Sequence, residues 1–193
     1  MSRIGSFVKK HRNDILFVGL IILLLSPIGL PVRAFLIKGV SMVTTEVLPL
    51  EVGEEERKVL ASYNWIMTDA SGKAVNMSRF EDEVLFINYW ATWCPPCIAE
   101  MPSMQSLYDK YGDRVVFLFI ANDDQDKVVK FMKKHNYSFP IYFMTQSPPQ
   151  ELNSSSLPTT YILDRNGEIV VEKVGAANWD SQRIHHLLEG LVQ

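Results

Sequence analysis

"FINYWATWCPPCIAEMP", residues 86–102, joins an apolar run to a stretch of helical character and sets the two cysteines of the chain, Cys94 and Cys97, three positions apart at the join. The run "EVLFINYW" (83–90) is β-branched and aromatic with little polarity, as expected of a strand buried on both faces. Downstream, Ile98, Met101, Met104, Leu107, Tyr108 and Tyr111 recur at helical spacing, and Gly112 follows as a stop signal. The pattern predicts a strand, a turn and then a helix whose first turn holds Pro95 and Pro96. Proline is well placed there, because its missing N–H has no partner to lose.

Cys94 therefore stands at a helix N-terminus, where unpaired N–H groups and the positive dipole end favour an anion. Such a setting lowers a cysteine pKa from ~8.5 into the range ~3.5–7.5. Cys94 is the expected nucleophile; Cys97, one turn on and deeper, would resolve the mixed disulfide, and Trp93 would shield the pair. A plain structural bridge is a poor alternative, since so short a loop constrains the unfolded chain little. A zinc site needs further ligands. His11, His135, His185 and His186 follow no spacing that would complete one. A C-x-x-C at a strand-to-helix junction is a redox signature, so no metal and no cofactor beyond a redox-active Cys94–Cys97 disulfide is expected.

Outward from this centre, "YNWIMTDASGKAVNMSRF" (63–80) reads as a hairpin turning at Asp69–Gly72, with Ser78 a candidate cap for a helical turn. "VVFLFIA" (115–121) predicts a second buried strand and "DQDKVVKFMKKHN" (124–136) a second helix. "FPIYFM" (139–144) adds a short strand. "LPTTYILD" (157–164) and "IVVEKV" (169–174) form a pair joined through Asn166-Gly167, and "NWDSQRIHHLLEGLV" (178–192) closes as an amphipathic helix. This order predicts an α/β sandwich around a mixed sheet of about five strands. Trp65, Trp90 and Trp179 are read as core and His185-His186 as surface. "NDDQD" (122–126) lacks the glycine and distal Glu of a calcium loop and is read as a helix-capping cluster.

The start of the chain differs in kind. Arg3, Lys9, Lys10 and Arg12 precede an uncharged stretch over 15–32. A helix of that length reaches about 27 Å, close to the hydrocarbon core of a bilayer. The expected organisation is a cytoplasmic basic N-terminus (1–14), a transmembrane anchor (15–37), a linker (38–60) and one globular domain (61–193). A signal peptide is the competing reading of the anchor, interrupted as it is by Pro27, Gly29 and Pro31; either way the cysteines are exported to where disulfides persist. The net charge of −3 offers no basic field for nucleic acid.

"FINYWATWCPPCIAEMP" together with "LPTTYILDRNGEIV" (157–170) resembles the membrane-anchored TlpA/ResA-like thiol-disulfide oxidoreductases, over roughly residues 60–190. The resemblance implies a thioredoxin-like three-layer sandwich. It implies that Pro158 is cis and opposite the cysteines, and that Leu157 offers backbone groups to an extended substrate. Where thioredoxins proper carry a buried Asp, this chain has Asn88, which cannot titrate. The family's matching glutamate makes Glu100, three residues after Cys97 and on its helix face, the expected proton acceptor for Cys97. The function implied is extracytoplasmic reduction of exported protein disulfides, such as apocytochrome c cysteines, with electrons from a membrane thiol transporter. A disulfide oxidase of the same fold and a Cu(I) chaperone using the two thiolates are the alternatives; a peroxidase lacks its usual cysteine-loop signature.

Overall fold

The computed structural model describes residues 51–193 together with Asp14 and Phe17, both helical. The expected N-terminus, anchor and first part of the linker otherwise lie outside the described residues. No helix among the described residues is long and apolar enough to cross a membrane.

Among these residues the strands are β1 (Ile66–Asp69), β2 (Ala74–Asn76), β3 (Leu85–Trp90), β4 (Val116–Ala121), β5 (Ile141–Met144), β6 (Thr159–Leu163) and β7 (Ile169–Val174). The helices are α1 (Pro95–Tyr111), α2 (Gln125–His135) and α3 (Gln182–Leu191). The strands form one sheet in the order β2-β1-β5-β4-β3-β6-β7. This corrects the expectation of about five strands: the hairpin β1–β2 is not an appendage, because β1 pairs antiparallel with β5 and extends the sheet to seven.

β3 lies near the middle, parallel to β4 and antiparallel to β6. Every residue of β3 is buried, because its even positions face one core and its odd positions another. Phe86 and Trp90 join Phe117, Phe119, Val128, Met104, Leu107, Ile184 and Leu188, so all three helices cover this face. Leu85, Ile87 and Tyr89 join Trp65, Met67, Met77, Leu118, Ile120 and Leu152 on the other. The third layer of the sandwich is thus not helical; it consists of the chain around 60–65, the turn Met77–Phe80 and the short 3-10 turn Gln150–Leu152.

The end of the expected linker also has a place. Glu51 and Val59 form isolated antiparallel bridges to Val171 and Glu168, and Leu60 is buried. Two local expectations change. Asn76, not Ser78, caps the Met77–Phe80 turn by accepting the Ser78 N–H. His185 is not a surface group: its ring stacks on Tyr111 and bonds the Tyr111 hydroxyl and Asp180, while His186 is exposed. The acidic cluster caps as expected, with Asp124 accepting the Lys127 N–H at 3.1 Å.

Candidate redox site at the end of strand β3

β3 ends at Trp90, and the turn Ala91–Trp93 delivers the chain to α1 with Cys94 as its N-cap. The Cys94 sulfur accepts the Cys97 N–H at 3.3 Å, and the two sulfurs form a disulfide. A sulfur that already accepts an N–H at a helix start is placed to be stabilised as a thiolate once the bond is reduced. The turn is fixed from the side: Thr92 donates to the Asp123 carboxylate, which that hydrogen bond holds below the usual carboxylate range.

The pair is sheltered. Cys94 is 4% exposed and Cys97 fully buried, while Trp93 beside them is 63% exposed. Trp93 therefore presents an apolar surface next to Cys94 instead of lying inside the core.

Leu157 and Pro158 sit at the start of β6. Since β6 runs antiparallel to β3, with Tyr89 opposite Thr159, the start of β6 meets the end of β3. The Leu157–Pro158 bond is cis, and the Pro158 carbonyl accepts the Gly175 N–H at 2.9 Å. Leu157 is half-buried and precedes the first ladder residue of β6.

Glu100 lies one turn beyond Cys97 and is 1% exposed. Its Oε1 accepts the Asn88 side-chain amide at 3.0 Å. Its Oε2 accepts the Ala177 N–H at 3.2 Å and the Trp179 indole N–H at 2.9 Å. Burial pushes the carboxyl up to about 8, against the pull of these donors and of Lys173. A group with that proton affinity exchanges protons near neutral pH, as an acid–base residue must.

Trp179 is core as expected, yet it also serves this carboxylate, a role its sequence setting did not reveal. Asn88, recognised only as unable to titrate, bridges Glu100 to Thr160, whose Oγ1 is 2.8 Å from the amide. The available signal was polarity within buried strands: Asn88 interrupts "FINYW" and Thr160 interrupts "PTTYI", and a buried polar group requires a partner. Among the described residues no cluster of three or more His, Cys, Asp or Glu could hold a metal ion.

The site sits in a fold shared with known proteins. The Redoxin family model matches residues 62–188. The thiol-disulfide oxidoreductase ResA of Geobacillus kaustophilus (strain HTA426) is 30% identical over 167 residues, 84% of this chain and 87% of that protein. ResA of Bacillus thuringiensis subsp. konkukian (strain 97-27) is 32% identical over 129 residues, 65% of this chain and 71% of that one. A solved structure of a thiol:disulfide interchange protein DsbE from Chlorobium tepidum gives a TM-score of 0.61 at 21% identity, covering 72% of this chain and 99% of that one. This last likeness bears on the fold alone.

Proposed function

We propose that this chain, which belongs to the Redoxin family and is a TlpA/ResA-like thiol-disulfide oxidoreductase, works as a reductant of exported protein disulfides. The observation that carries the reading is the Cys94–Cys97 disulfide capping α1, with a buried carboxylate one turn further on.

The cycle starts from the reduced form. The Cys94 thiolate attacks one sulfur of a client disulfide and forms a mixed disulfide. The first client sulfur leaves as a thiolate and takes up a proton. Cys97 then gives its proton to Glu100 and attacks the Cys94 sulfur. The internal disulfide forms, the second client sulfur leaves as a thiolate and takes up a proton, and Glu100 releases the proton it received. Two electrons have passed to the client, and an exofacial dithiol of a membrane thiol transporter returns them. Exposed Trp93 and the Leu157–Pro158 backbone receive the extended client segment. Apocytochrome c cysteines are the client class, and the segment 15–37 holds the domain at the outer face of the cytoplasmic membrane. The order of reactivity rests on the cap: Cys94 has the helix-end stabilisation, whereas Cys97 is buried.

Trapping tests the reading. The full chain carrying Cys97→Ser, first reduced and then freed of reductant, is expected to accumulate a mixed disulfide through Cys94 when mixed with a disulfide-containing Cys-x-x-Cys-His peptide. Cys94→Ser is expected to accumulate none. Equal trapping by both variants, or by neither, would remove the proposed roles.

A further inference from the structure

Glu100 is surrounded by donors. Its three hydrogen-bond partners are the Asn88 amide, the Ala177 backbone N–H and the Trp179 indole N–H. Each favours the ionised form, because an N–H donates best to a full negative charge. An indole N–H and a backbone N–H are donors only, so neither can turn round and accept from a protonated carboxyl. The Asn88 amide can, by rotating about its last bond, and its Oδ1 has no donor partner as it stands. Protonation of Oε2 would thus set two fixed donors against an O–H group.

The indole is not free to withdraw. Trp179 is fully buried, with its ring edge-on to Phe86 at 5.1 Å and 90°. Its backbone N–H donates to the Ser103 hydroxyl at 3.1 Å, and that hydroxyl donates to the Glu100 carbonyl at 2.7 Å. A closed ring of bonds therefore runs from the carboxylate of Glu100 through Trp179 and Ser103 to the carbonyl of the same residue. The loop after β7 is fastened to α1 at this point. The groups that face Glu100 are otherwise simple. Cys97 lies one turn earlier on α1, β3 contributes the neutral Asn88 backed by Thr160 of β6, the loop the neutral Ala177 and Trp179, and β7 the charge of Lys173.

We infer that Trp179 is a positioning residue for the acid–base step: its indole N–H, beside the Ala177 amide, holds Glu100 Oε2 in place and lowers its proton affinity, so that this loop sets the pH at which Glu100 accepts the proton of Cys97. The inference rests on the role proposed above for Glu100.

The experiment follows the rate of client-disulfide reduction by the reduced full chain as a function of pH, for wild type, Glu100→Gln and Trp179→Phe. Phenylalanine keeps a ring against Phe86 and removes only the donor. Glu100→Gln is expected to abolish the inflection due to Glu100. Trp179→Phe is expected to move it upward by about one to two pH units, the equivalent of one lost hydrogen bond to a charged group. If Glu100→Gln abolishes the inflection while Trp179→Phe leaves it in place, the inference about Trp179 is overturned and the role of Glu100 stands. A Glu100→Gln profile identical to that of the wild type, with every inflection in place, overturns the role of Glu100 itself. A second readout needs only the wild-type protein: the indole N–H resonance of Trp179 should titrate with the same midpoint as Glu100. An indole resonance indifferent to pH across that range would also overturn the inference.

Discussion

Glu100 carries a cost that its surroundings only partly offset. A carboxyl with its folded value pushed up to about 8 from an ordinary 4.5 binds its proton more tightly in the folded chain than in the unfolded one. Its contribution to stability is full below about pH 4.5, falls as the pH rises through that interval and is lost above about pH 8. The fall is on the order of a few kcal/mol. Denaturant melts of the oxidised full chain are therefore expected to show stability declining between those limits, and Glu100→Gln is expected to flatten that decline. An identical slope in the variant would mean that Glu100 titrates normally. The burial of Glu100 was hard to read from sequence. A glutamate near the start of a helix is ordinarily solvated, and here it is covered by Ala177 and Trp179, 77 and 79 residues away. Cys94 and Cys97 were legible because strand, turn, proline and helix are all local in "FINYWATWCPPCIAEMP".

At the scale of elements, short-range signals served well and edge pairings did not. The helix α2 starts where Asp124 caps it, and its αL end falls at Asn136, both readable in "DQDKVVKFMKKHN". The turn joining β6 to β7 is held by Asp164, which accepts from the N–H groups of Asn166 and Glu168, with Gly167 at a positive φ of 78°. An added Cβ at Gly167 would also come within 2.7 Å of the Tyr63 hydroxyl. Two independent changes follow. Asp124→Ala is expected to cost about 1 kcal/mol of stability through the lost cap, with the thiol chemistry untouched. Gly167→Ala is expected to cost at least as much, through the left-handed backbone and the close approach together. Urea titration of each variant checks both; a neutral Gly167→Ala would mean that the turn and Tyr63 adjust freely. By contrast, β1 pairing with β5 and residues 51–60 lying along β7 depend on neighbours distant in sequence, and no periodicity announces them.

The molecule as a whole brings Cys94, Cys97 and the buried carboxyl of Glu100 together beyond the end of β3, with the start of β6 alongside. The mixed sheet supplies this arrangement: β3 must be buried on both faces, so the residue that follows it emerges at the rim, where α1 begins. Glu100, one turn from Cys97, is neutral when protonated and negative when ionised, and in neither form does its charge favour a second thiolate. A dithiol whose reduced form is not strongly stabilised has a low potential, whereas strong oxidants stabilise theirs. The decisive measurement is the reduction potential of the Cys94–Cys97 pair in the full chain, equilibrated against defined thiol–disulfide buffers. A reductant is expected to give a value near the ~−270 mV of thioredoxin or below. A value near ~−120 mV would instead make the protein a disulfide donor acting through the same two cysteines, and the reductant role would fall.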